Sequence, residues 1–503
     1  MPDATLPSSV NQFYATVGDI NGRALRVYEH LLAAAEICNP AAPPFKNLTI
    51  VFFHVLQRFF TAYLYRTTEH ANGLCTPELL GATNLDFPYW DYQNIRQGLD
   101  VSTCRYPVFP QANRWGMRRI ARAASAVSGI SGRRGKRIAI FPTFLNASRL
   151  ATSLLRKGHR LVFPDISGIS GIAMSEQWPF LVSALRPLMN ELNMTTLVQE
   201  SAIKLLHNYM QACITEECKA SGWDIAVTGS MLTIEYRLMG AEARSRGLPL
   251  FVPIHGDADG FLDEPWSGYG EATYPTHLLS FGNHGDDLRR NSRYARSLLG
   301  EIPQSIPTSS PFIIGKLWSP DREIRRADNI SANRILYIPT SYPLFQSYGP
   351  FHSAPDFLYR QWQQALCTAF PNLTIKEHPT NIDSGQTVPC PAPKDFRPLE
   401  EAILDYDAYI LDYISTGLNL ALATDKPVIY FDIGIRNPTA AASAAISQRC
   451  IYVRPDSFDP RAIRKSVLEQ IDLEKSDAFT PEFSVGTSRR SREEIFSNVL
   501  DSL

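Results

Sequence analysis

No CxxC pair occurs in this 503-residue chain; its eight cysteines (Cys38, Cys75, Cys104, Cys213, Cys218, Cys367, Cys390 and Cys450) are scattered. That spacing points to reduced thiols of a cytoplasmic protein rather than a zinc site or a disulfide framework. Long apolar runs are lacking too. The most apolar stretch, LTIVFFHVLQRFF (48–60), is too short to span a bilayer, carries His54, Gln57 and Arg58, and reads as a buried helix. The opening MPDATLPSSVNQFYATV has no basic start followed by an apolar run, so no secretory signal is expected. Charge of either sign is not in excess: the net value is −1, which argues against a protein built around nucleic acid. One local absence stands out. From Val101 to Phe163 there is neither Asp nor Glu, while Arg105, Arg118, Arg133, Arg137, Arg149, Lys157, Arg160 and several more cations fall there. The basic stretch 105–160 is either a solvated face or a surface for peripheral contact with the anionic inner membrane.

What is present is an ordinary globular composition, 44% hydrophobic and 20% charged, long enough for two or three domains. Residues 9–70 read as helical, and 84–115 as aromatic, proline-rich and irregular. Strands and helices then alternate. RIAIFPT (137–143), HRLVFPD (159–165), DIAVTGS (224–230), LPLFVPIHGD (248–257) and HLLSFGN (277–283) read as strands of a first set, with helices across 147–158, 176–220, 232–247 and 285–299. A second set starts near PFIIGK (311–316). It has strands at RILYIPTS (334–341), LTIKEHP (373–379), AYILDY (408–413), PVIYFDI (427–433) and CIYVRP (450–455), and helices at 356–370, 398–406, 417–424 and 459–471. Continuous apolar strands alternating with helices imply parallel sheets covered on both faces, an α/β class. The expected division is 1–305, a Rossmann-like domain with a helical and irregular extension over 1–130, and 306–503, a second Rossmann-like domain.

Ligands in such folds sit at the carboxyl ends of the strands. Three of those ends in the second half are polar: PTSY (339–342), KEHPTN (376–381) and DYISTGLN (412–419). Ser415, Thr416 and Gly417 stand where a strand gives way to a helix, either as a phosphate-holding turn or as a plain N-cap. Lys376 and His378 can donate to a phosphate, with Pro379 fixing the turn; the plain alternative is a histidine that satisfies a loop carbonyl. In the first half, HGDADGFLDEPWSGYG (255–270) follows a strand and gathers His255, Asp257, Asp259, Asp263 and Glu264. Crowded carboxylates raise one pKa, which suits acid–base work, and an ionised one can act as a nucleophile; a hydrophilic loop of Asx-turns is the plain alternative. Asp257-Ala-Asp259 matches the letters of a metal-binding DxD, but one loop is a weak metal site and none is expected.

Lys-x-His-Pro at 376–379, Asp-x-x-Ser-Thr-Gly at 412–417 and Lys-Pro-Val-Ile at 426–429 together resemble the C-terminal half of two-Rossmann (GT-B) glycosyltransferases. The likeness, over roughly 225–435, is to the group using cytidine-activated donors: bacterial sialyltransferases, capsule and lipopolysaccharide Kdo transferases, and CDP-glycerol polymerases. Asp-Gly-Phe-Leu (259–262) is similar to the acidic turn of β-Kdo transferases. It departs from the capsule enzymes at Ala258 and Asp263 and is closer to retaining lipopolysaccharide-type enzymes. The resemblance implies a transferase moving Kdo from CMP-Kdo onto a glycan or lipid-linked glycan such as lipopolysaccharide O-antigen or capsule. Donor phosphate would be held by His378, Ser415 and Thr416 with Lys376, Pro379 and Gly417, and donor sugar by Ser230, Arg237 and Thr340. Asp259 would be the catalytic carboxylate, a nucleophile in a retaining transfer or the base for the acceptor hydroxyl in an inverting one, with Asp257 and His255 behind it. No cofactor is implied beyond the nucleotide-sugar donor. Alternatives are a CDP-glycerol or ribitol phosphotransferase, an inverting sialyltransferase-like enzyme, and a scaffold without turnover.

Overall fold

Strands that are apolar at every position need a packed layer on each side, and the computed structural model shows how the chain supplies them. It describes parts of 14–34, then 135–140, 154–162, 174–194, 196–212, 222–228, 234–254, 274–283, 303–310, 312–326, 334–340, 356–383, 387–485 and 492–502, with Ile214 and Leu262. The expected helices at 48–60 and 285–299, and the irregular 84–115, lie outside the described residues.

The first sheet holds β1 (Arg137–Ile140), β2 (Arg160–Val162), β3 (Ile225–Val227), β4 (Leu250–Pro253), β5 (His277–Phe281) and β6 (Gln304–Thr308). All pairings are parallel, in the order β2-β1-β3-β4-β5-β6. Helices α1 (Met174–Glu191), α2 (Thr196–Ala212) and α3 (Ile234–Ser245) accompany it. β6 has no apolar run to announce it: its sequence QSIPT is polar and carries Pro307, which a strand tolerates only at a sheet edge, where β6 sits.

The second sheet holds β7 (Ile335–Ile338), β8 (Leu373–Lys376), β9 (Lys394–Asp395), β10 (Ala408–Leu411), β11 (Val428–Phe431) and β12 (Ile451–Val453). They are parallel in the order β12-β11-β10-β7-β8-β9, which is the 3-2-1-4-5-6 order of a doubly wound sheet. Its helices are α4 (Asp356–Ala369), α5 (Pro379–Asp383), α6 (Leu399–Ala402), α7 (Thr416–Leu422), α8 (Ala440–Arg449) and α9 (Pro460–Leu468). The two-residue period sorts the strands between two cores. Ile335, Tyr337, Ile410, Ile429 and Phe431 pack with Trp362 and Leu366 of α4 and Val467 of α9 on one face. Leu336, Ile338, Tyr409, Leu411 and Tyr430 pack with Leu418 and Leu422 of α7 and Ile446 of α8 on the other. Thr439 caps α8 by accepting from the Ala442 N–H, and Asp459 caps α9 by accepting from the Ala462 N–H, with Pro460 in its first turn.

PFIIGK forms no strand; Ile313–Leu317 is a π-helical turn that follows β6, and β7 is the first strand of the second sheet. The expected boundary at 305 falls inside β6. The last helix, α10 (Arg492–Ser502), does not stay with the second sheet. Its Phe496 and Leu500 pack on Ile138, Ile140, Val227 and Leu279 of the first, and Phe496 meets Phe251 edge-on at 4.9 Å. A second π-helical segment, Thr480–Val485, carries the chain across. There Gly282 (φ 66°) is obligatory, because an added Cβ would lie 2.2 Å from the Glu482 carbonyl oxygen. At the other end of the chain, the Tyr14 hydroxyl donates to the carbonyls of Pro455 (2.9 Å) and Asp432 (3.2 Å) beside the second sheet, while Arg26 and His30 reach Glu191 of α1, each at 2.6 Å.

Cys367 of α4 and Cys390 are joined in a disulfide, which corrects the expectation that all eight thiols are reduced. Their separation of 23 residues in sequence gives no hint of it. The loop after α5 folds back over α4 because buried Glu377 holds it, accepting from the Val388 N–H (2.9 Å) and pairing with Lys394 (3.0 Å). No helix among the described residues is long and apolar enough to cross a membrane.

Candidate functional site at the carboxyl edge of the second sheet

Three polar turns end three neighbouring strands. In the order β10-β7-β8 these are Asp412–Ser415, Pro339–Thr340 and Glu377–Pro379. The strand order reverses between β7 and β10, and a doubly wound sheet opens a crevice at that point.

Asp412 fastens the turns together. It is fully buried and accepts from the Tyr337 hydroxyl (2.5 Å), the Tyr359 hydroxyl (3.0 Å) and the Trp362 indole N–H (2.8 Å). Burial pushes its carboxyl up to about 6, against the pull of those three donors. The Tyr359 oxygen in turn accepts the Thr340 N–H (3.1 Å), and the Asn381 side chain donates to the Thr340 carbonyl (3.4 Å). Asn381 is in α5, the short helix that begins at Pro379, and its own N–H donates to the His378 carbonyl (2.9 Å). So one chain of bonds runs from the end of β10 through α4 to the ends of β7 and β8.

The anticipated residues that the structure describes each have a definite place. Ser415 is the N-cap of α7; its hydroxyl accepts from the Gly417 N–H at 3.2 Å. Thr416 is exposed beside it. Gly417 lets α7 lie on β7, since a Cβ there would meet the Ile338 side chain at 2.9 Å. His378 is half-buried and Pro379 exposed. Lys376 is buried and donates one hydrogen bond to the Glu377 carbonyl at 2.9 Å. Burial lowers its pKa, while the charges of Asp395, Glu377 and Glu400 oppose that. Arg237 is not at this edge: it is fully buried on α3 in the first half, within electrostatic reach of Tyr274. His255, Asp257, Asp259, Asp263, Glu264 and Ser230 lie outside the described residues.

Leu262, which follows the Asp259-Gly-Phe turn, is described, and it crosses to the second half. It is buried in that half's core and forms an isolated antiparallel bridge with Pro438. Pro438 lies in the segment after β11, next in order to β10. Leu262 itself is therefore held at the same carboxyl edge as the three polar turns. Sequence reasoning missed Arg436 there. It is buried, donates to the Tyr413 hydroxyl at 2.6 Å and lies 5.0 Å over that ring. The only hint in the sequence was its place after the PVIYFDI strand. Among the described residues no group of three or more His, Cys, Asp or Glu is arranged to hold a metal.

No family model matches the chain, and no curated protein matches it in sequence. Among solved structures it is similar to an ABC transporter solute-binding protein from Agrobacterium vitis with bound allitol. That match has 12% identity and a TM-score of 0.18, covering 73% of this chain and 99% of the other, too slight a likeness to inform fold or ligand.

Proposed function

We propose that the chain is a GT-B-type glycosyltransferase that uses a CMP-activated sugar acid, Kdo, and adds it to a bacterial surface glycan. On this reading the two halves face each other across the carboxyl edge of the second sheet, as in that fold. The observation that carries this reading is the Leu262–Pro438 bridge, which brings the residue three positions after Asp259 to the edge that bears the polar turns.

His378 and the Ser415–Thr416 turn hold the donor phosphate. Arg436, already at that edge, and Thr340 serve the donor's anionic groups in place of buried Arg237. Loss of CMP from a carbon bearing a carboxylate passes through an oxocarbenium-like transition state. Fixed donors around the leaving phosphate stabilise the charge that develops there. In the retaining course, the Asp259 carboxylate bonds to the anomeric carbon as the bond to the CMP oxygen breaks, and CMP departs with the electron pair. The acceptor hydroxyl then displaces Asp259 and gives its proton to a neighbouring base, for which Asp257 is placed in sequence. Asp259→Asn is expected to keep CMP binding and lose at least about 1,000-fold in turnover with CMP-Kdo. Intact-protein mass spectrometry of the wild type should reveal a sugar adduct. Asp259→Asn with unchanged turnover would overturn the assignment.

A further inference from the structure

The opposite edge of the second sheet has a cavity that the proposed chemistry does not use. It lies at the amino ends of β11 and β12, against Val428 and Ile451, with a volume of about 530 Å³. Its lining carries five cationic side chains and three carboxylates. One of those carboxylates, Asp477, is paired with Arg322; the other two, Glu323 and Glu474, are exposed at the rim.

Two arginines define the cavity's floor. Arg449 is 1% exposed, and its Nη2 donates to the carbonyls of Thr424 (2.7 Å) and Lys426 (2.9 Å). Its Nε and Nη1 are buried and have no hydrogen-bond partner, and no carboxylate among the described residues pairs with it. Arg322 donates through Nη2 to the Leu422 carbonyl at 2.9 Å, and its Nε is likewise buried without a partner. Arg322 also meets Asp477 and the Thr480 hydroxyl (3.4 Å) through Nη2 and the Leu317 carbonyl (3.5 Å) through Nη1, which leaves its Nε and the Nε and Nη1 of Arg449 unaccounted for. Half-buried Lys475 lines the same space. Burial lowers the pKa of both Arg449 and Lys475. An isolated buried guanidinium is costly, and its cost falls when an oxyanion accepts from the free edge.

We propose that this cavity binds a small oxyanion, a phosphate or carboxylate group, on the unpartnered donors of Arg449 and Arg322 with Lys475 beside them. The volume suits a small organic molecule bearing such a group. Calorimetric titration of the whole chain with inorganic phosphate and, separately, with acetate, both at constant ionic strength, tests this. Saturable binding of one of the two is expected, and which one saturates tells phosphate from carboxylate. Arg449→Gln and the milder Lys475→Met should each weaken it about tenfold, because each removes a charged donor. His378→Ala, at the other edge, should leave it in place, so a failure here is separable from a failure of the proposed function. No saturable binding of either anion, or binding unchanged in both Arg449→Gln and Lys475→Met, overturns the proposal.

Discussion

Asp412 loses its hydration on folding, and two phenols and an indole N–H are what it receives in return. Its carboxyl is raised to about 6 from an unfolded value of 3.8. A raised carboxyl contributes stability below the unfolded value, and that contribution disappears as pH rises through the folded one. Between pH 4 and pH 7 the loss is roughly 2 kcal/mol. Asp412→Asn removes the titration. The stability difference, variant minus wild type, should therefore move in the variant's favour by about that amount across the window. Urea midpoints at four pH values measure it; a difference that does not vary with pH would refute the account of Asp412. At this scale the sequence was a partial guide. The Lys-x-His-Pro and Ser-Thr-Gly turns stood out because unusual residue types cluster at strand ends. Tyr337, Tyr359 and Trp362 read as ordinary apolar positions, since nothing local marks a ring whose polar atom meets a carboxylate across the core.

Among the elements, those with a long apolar period were legible. All five strands of the second set reappear in its sheet, because Ile, Leu, Val and Tyr at successive positions leave no face for water. Elements with weak periods were not. β9 has two residues, α5 has five, and the alanine-rich α8 (AAASAAISQR) shows little contrast between its faces. α10 was missed because its partners lie far off in sequence. Phe496 there is fully buried against Phe251. Phe496→Ala should cost about 3–5 kcal/mol, as for other buried phenylalanines. Hydrogen exchange should show the loss first in β1 and β4 of the first sheet. An effect confined to the second sheet would contradict the packing described.

For the whole molecule, both chain ends join the two sheets. The N-terminal helical residues touch Asp432 and Pro455 at one end and Glu191 at the other, and α10 returns to the first core. A division drawn at a single point in the chain cannot represent that, which is why the expected 306–503 domain was wrong about its last helix. The sequence could rank the candidate turns. It could not show that β10, β7 and β8 are neighbours, because parallel strand order depends on crossovers rather than on local residues. The central claim is that this shared edge holds a cytidine nucleotide. Thermal unfolding of the whole chain with CMP, CDP, UDP and GDP tests it most directly. CMP at about 100 times its dissociation constant should raise the midpoint of the transition by about 2–3 °C. UDP and GDP should do little, and His378→Ala should remove most of the CMP effect. Stabilisation by UDP or GDP with none by CMP would contradict it.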